Sequence, residues 1–134
     1  MFFDKYGFEI DGIKHLTPKE ASLLLRKNAV LVDIREDYKL RMKSFGAENI
    51  IYLCMEKIKA GEFNLPKEGA YIIADSSGLH SKEALLALKE EGYKQLANLA
   101  GGLLEWENEG LPVITDRKER LSGACPCQLK PKEK

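Results

Sequence analysis

Cysteine is scarce in this chain: three in 134 residues, an odd count whose spacings match no disulfide framework. That excludes a small disulfide-stapled scaffold and favours a reducing compartment, so a cytoplasmic protein is expected. Long apolar runs are missing as well. Nothing approaches the ~20 residues a membrane-crossing helix needs, and Met1-Phe2-Phe3 is broken at once by Asp4-Lys5, which argues against a secretory signal. Neither sign of charge is in excess, with Lys+Arg and Asp+Glu at 21 each, so no electrostatic footprint for nucleic acid or a membrane surface is present. Two His and three Cys supply no zinc-finger or zinc-ribbon spacing, and neither a metal nor a cofactor is expected. What remains, 44% hydrophobic and 31% charged residues, suits a soluble globular domain long enough to bury a core without staples.

The elements alternate. Residues 1–12 form a lead-in whose Phe2, Phe3, Tyr6, Phe8 and Ile10 either cover part of the domain or present an aromatic patch to a partner. A short strand is expected near Ile13–Leu16. Thr17-Pro18-Lys19-Glu20 is a helix start: Thr17 caps, Pro18 fits the first helical position and Glu20 completes a capping box. Ala29–Ile34 is a near-continuous apolar run, as in a strand covered on both faces. A short helix over Asp37–Lys43, a strand over Asn49–Leu53 and a charged short helix or turn over Met55–Phe63 follow. Cys54, beside an apolar strand, reads as a small buried hydrophobe. Gln95–Ala100 is the last strand, and a short helix runs through Trp106, which belongs to the core. Residues 13–115 therefore form an α/β domain with a parallel sheet of about five strands and helices on both faces. Residues 116–134 are a polar tail carrying Cys125-Pro126-Cys127.

The centre of the chain is Ala70–Leu88. Tyr71-Ile72-Ile73 reads as a buried strand. Ser81–Glu91 reads as a helix, with Ala84, Leu85 and Leu88 on one face and Gly92 as its stop. Between them lies the tight loop Asp75-Ser76-Ser77-Gly78-Leu79-His80. A strand that turns sharply into a helix aims unpaired N–H groups and the positive end of the helix dipole at one point. Such a loop cradles an anion. An acidic side chain at its first position would satisfy the cradle itself.

This loop resembles the active-site signature of rhodanese-like domains, strand, then C-x-x-G-x-R-S, then helix. Gly78 and Ser81 match it, Asp75 stands where the cysteine belongs and His80 where the arginine usually is. Val32-Asp33-Ile34-Arg35-Glu36 matches a second hallmark of the family, V-D-x-R-E. The run Gly101-Gly102, Trp106, Gly110-Leu111-Pro112 matches a third. The family's turn G-H-I-P-G-A survives only as Gly46-Ala47. The resemblance implies a three-layer α/β/α fold. It also implies structural roles for Asp33 and Arg35 at the C-terminal edge of the sheet, and close backbone approach of Gly101 and Gly102 to the loop. In the family the loop cysteine carries a persulfide, which a carboxylate cannot form stably.

Two functional expectations follow. The first is a rhodanese-like module without ordinary thiosulfate sulfurtransferase activity, in which Asp75 fills the cradle and the loop Asp75–Ser81 serves binding or regulation. Its partner would be an unidentified protein or a sulfur donor or acceptor. A nucleophilic role for Asp75 would require Mg²⁺ and further acids, which nothing near it in sequence supplies. Ser76 and Ser77 read as turn residues. In the second, Cys125 or Cys127 supplies the thiol. The residues between Pro112 and Cys125 span ~40 Å when extended at about 3.3 Å each, enough to reach the loop of the same chain or of a neighbour. There the pair would carry persulfide or cycle between dithiol and disulfide. Metal binding by Cys125 and Cys127 with His80 or His15 is a weaker third option, since two Cys leave a structural zinc short of its four ligands.

Overall fold

The computed structural model describes residues 3–36, 43–47 and 49–115. The expected helix over 37–43 and the tail with Cys125 and Cys127 lie largely or wholly outside them. Among the described residues the elements run β1 (Phe8–Ile10), β2 (Ile13–Leu16), α1 (Pro18–Leu25), β3 (Val30–Asp33), β4 (Ser44–Phe45), β5 (Ile50–Tyr52), α2 (Met55–Ala60), β6 (Ala70–Ala74), α3 (Ser81–Glu90), β7 (Gln95–Leu99), α4 (Gly102–Asn108) and β8 (Val113–Ile114).

The main sheet has the order β1-β2-β7-β6-β3-β5. β2, β7, β6, β3 and β5 are mutually parallel, and β1 adds an antiparallel edge to β2. Because side chains alternate along a strand, each central strand feeds two cores. Leu31, Ile72, Ala97 and Leu99 meet Leu24 of α1 and Leu103 and Trp106 of α4. Val32, Tyr71, Ile73 and Leu96 meet Ile58 of α2 and Ala84, Leu85 and Leu88 of α3. Helices therefore cover both faces, and β3 up to Val32 and all of β6 read as apolar runs.

α1 starts as its sequence dictates. The Thr17 hydroxyl accepts from the Glu20 N–H at 3.2 Å and the Glu20 carboxylate accepts from the Thr17 N–H at 3.0 Å, a complete capping box. α2 ends at Gly61, whose φ of +72° is the left-handed stop that favours glycine. Cys54 differs from expectation: it is half-buried rather than core, at the residue preceding α2. β5 is an edge strand whose residues are all partly exposed; Leu53 after it enters the core beside Ile58, and Cys54 is left at the start of α2. β1 and the β4–β8 pair are additions to the expected pattern. β4 and β8 form a separate two-stranded sheet that sets Phe45 edge-on against Trp106, centroids 5.2 Å apart.

Candidate functional site

Parallel strands end together. Asp33 lies opposite Ala74 and Tyr52, and Ile73 opposite Asn98. Arg35, Asp75, Gly101 and Met55 consequently follow strand ends at one edge of the sheet, the place where open α/β sheets bind ligands. The Ile34 N–H donates to the Ala74 carbonyl at 3.0 Å and carries the pairing to the lip of the loop.

Asp75 leaves β6 and turns back into its own loop. Its side chain is buried, with the residue 4% exposed. Oδ1 accepts from the Gly78 N–H, and Oδ2 accepts from the His80 N–H at 2.7 Å. His80 immediately precedes α3, so the carboxylate sits on amides at a helix N-terminus, where the dipole favours negative charge. The His80 imidazole, 77% exposed, places Nδ1 3.6 Å from the same Oδ2. Leu79 projects from the loop tip, 70% exposed.

The loop is held from behind by α4. The Leu103 N–H donates to the Asp75 carbonyl at 2.9 Å and the Leu104 N–H to the Ser76 carbonyl at 3.0 Å. This contact is so close that a Cβ on Gly102 would lie 2.4 Å from the Asp75 carbonyl oxygen. A Cβ on Gly78 would lie 2.8 Å from the Gly101 nitrogen. Both glycines have positive φ, +59° and +89°, so neither space nor backbone suits another residue.

Asp33 and Arg35 form a buried ion pair beside the loop. Arg35 Nη2 donates to Oδ2 at 2.8 Å, Nε to Oδ1 at 3.0 Å, and the Arg35 backbone N–H to Oδ1 at 3.1 Å. The guanidinium also stands 5.5 Å from the centre of the Phe45 ring. Its charge is thus spent on Asp33. Arg35, Met55, Lys59, Asp75, His80 and Glu83 line a cavity of about 370 Å³. Lys59 is paired to Glu83 at 2.8 Å on its rim. Among the described residues no group of three or more His, Cys, Asp or Glu is disposed to hold a metal ion, and no helix is long and apolar enough to cross a membrane.

Sequence reasoning named His15 of β2 only as a candidate metal ligand and missed Asn98 of β7; both lie behind the loop. The Ser81 hydroxyl, at the first residue of α3, donates to Asn98 Oδ1. Asn98 Nδ2 lies 3.0 Å from His15 Nδ1. Strand alternation was the available signal. Ile13 and Leu96 face the α3 core, so His15 and Asn98, two residues on, are polar groups on that buried face.

The rhodanese-like domain model matches residues 17–109, which run from the α1 cap to the end of α4. The chain belongs to the rhodanese-like domain family. Curated relatives of this rhodanese-like chain include the Escherichia coli protein YibN, 31% identical over 104 residues, covering 76% of this chain and 73% of that one. Thiosulfate sulfurtransferase GlpE of Haemophilus influenzae is 28% identical over 108 residues, 78% of this chain and 97% of that one. Among solved structures, a rhodanese homologue from Thermus thermophilus is 33% identical and superposes with a TM-score of 0.57 over 69% of this chain and 99% of its own.

Proposed function

We propose that this rhodanese-like domain is a binding or regulatory module without ordinary thiosulfate sulfurtransferase activity, with Asp75 in the position from which the family's cysteine acts. One observation carries the reading: the Asp75 carboxylate already accepts the Gly78 and His80 amides that would otherwise face a bound anion or a thiolate. A carboxylate holds no sulfane sulfur. A second anion about 4 Å from it is repelled by ~1 kcal/mol in water and ~4 kcal/mol at a protein-like dielectric. Arg35 offers no compensation, being paired with Asp33. The surface left for a partner is the cavity rim together with the exposed Leu79 of the same loop.

The experiment is Asp75→Cys. The wild-type protein moves no sulfur from thiosulfate to cyanide, and the variant does, because the amides that hold the carboxylate then hold a thiolate. Wild-type activity above buffer controls, or a folded and inert Asp75→Cys variant, overturns the reading.

A second reading uses the tail thiols. β8 pairs with β4 beside Phe45, whose ring faces Arg35 of the cavity, so the chain heads into the tail from the neighbourhood of the site. In this scheme the Cys125 or Cys127 thiolate attacks the outer sulfur of a donor persulfide and the donor thiolate leaves. Mass spectrometry after exposure to a persulfide donor decides it: no added sulfur on either residue removes it.

A further inference from the structure

His15, Asn98 and Ser81 form a buried chain of polar side chains beneath the loop. His15 is 5% exposed, Asn98 1% and Ser81 fully buried. His15 and Asn98 are direct partners across the parallel β2–β7 ladder. The donors run in one direction. Ser81 Oγ donates to Asn98 Oδ1, which leaves Asn98 Nδ2 to donate to His15 Nδ1. His15 must then be neutral with its proton on Nε2, and Nε2 is buried with no hydrogen-bond partner among the described residues.

Burial, the Asn98 donor and the charge facing it from α3 favour that neutral form. Phe8 of β1 stacks on the ring at 5.3 Å and 17°. Asn98 of β7 donates to it. The charge acting on it from α3 is the cation Lys82, and burial with that cation holds the His15 pKa below its ordinary 6.5. Glu9 and Lys14, paired one residue away along the strands, have side chains that alternate to the opposite face.

We propose that His15, Asn98 and Ser81 are positioning residues for the Asp75 loop, joined as a proton-sensitive network that protonation of His15 rearranges. A proton from solvent entering at Nδ1 sets that N–H against the Asn98 amide N–H. The amide turns over, Oδ1 accepts from Nδ1–H, and Nδ2 then donates to Ser81 Oγ. The Ser81 O–H, now only an acceptor toward Asn98, is released to its other side. Ser81 directly follows His80, whose N–H holds Asp75 Oδ2. The pose of the carboxylate therefore follows the protonation of a histidine it does not touch. This holds whether the loop binds a partner or handles sulfur.

The chain has two histidines, so His80→Gln leaves His15 as the single imidazole while keeping the backbone N–H at position 80. Long-range ¹H–¹⁵N spectra of this variant at neutral pH are expected to show the Nε2-protonated tautomer. On acidification the Gly78 and Leu79 amides are expected to shift with the His15 midpoint, below 6.5. Adding His15→Gln restores an acceptor that carries no proton, and those amide shifts then vanish over the same range. An Nδ1-protonated tautomer at neutral pH overturns the proposal. So do loop amides that stay fixed while His15 titrates, or that titrate equally after His15→Gln. Should the double variant not fold, the tautomer and the shared midpoint in His80→Gln alone still decide it.

Discussion

Asp75→Asn isolates what the buried carboxylate does for the fold. The side chain keeps its shape and loses its charge. In the wild type Oδ1 and Oδ2 each accept one loop amide, from Gly78 and from His80 at 2.7 Å. An Asn side chain has one acceptor oxygen, so one amide keeps a partner and the other meets an NH₂ group. A hydrogen bond to a charged group contributes about 1.5–3 kcal/mol, and a neutral one about 1. An anion at a helix N-terminus adds about 0.3–1 kcal/mol. Losing one charge-assisted bond, weakening the other and removing the dipole interaction costs about 2–6 kcal/mol, roughly 8–24 °C in melting temperature for a domain of this size. Urea titration at neutral pH should show a lower midpoint with an unchanged slope, since the surface exposed on unfolding is the same. Glu107→Gln is the control. It breaks an exposed pair to Lys43 at 2.8 Å and should cost less than about 1 kcal/mol. An Asp75→Asn protein within about 0.5 kcal/mol of the wild type would refute the reasoning, because the amides would then not be held by that charge.

Gly102→Ala should destabilise by more than about 2 kcal/mol, since its Cβ would fall 2.4 Å from the Asp75 carbonyl oxygen. Gly110→Ala, at φ +82° with open space around it, should cost only the backbone strain of about 1–2 kcal/mol. Urea midpoints of the two variants compare them directly. Burial pushes the Glu20 carboxyl up, but hydrogen bonds from Thr17 and Gly7 outweigh it and hold its pKa below the ordinary value. Its stabilisation, about 1 kcal/mol, is therefore full above the unfolded pKa and lost as pH falls through the lower folded one. The gap between wild type and Glu20→Ala should accordingly close in acid, as thermal melts at pH 7 and pH 3 would show. His15 has the same sign. The unfolded chain takes up its proton near 6.5 while the folded one resists, so stability falls as pH drops below that value. His15→Gln should flatten this slope in melting temperatures between pH 7 and pH 5.

The parts of the fold legible in the sequence were those with a strong local pattern. Ala29–Ile34 and Tyr71–Ile73 are apolar on both faces, and they became β3 and β6 between two layers of helices. Thr17-Pro18-Lys19-Glu20 announced α1 by its capping chemistry. β1 was not legible, because Phe8, Glu9 and Ile10 are all exposed and no burial pattern marks them. The β4–β8 pair depends on residues some seventy positions apart. Cys54 was expected in the core, from an apolar neighbourhood that turned out to be an edge. At the site, the strand–loop–helix passage and its acid could be read locally. The His15–Asn98–Ser81 chain could not, because His15 joins the other two only through the β2–β7 pairing.

The socket around residue 75 is made of main chain. Its floor is the start of α4, pressed against peptide carbonyls across Gly102, and its rim is the amides leading into α3. The floor of such a socket is set by backbone pairing alone, and only the rim amides answer to the group enclosed. On the function proposed above, exchanging acid for thiol at position 75 asks for a new side chain and no new architecture.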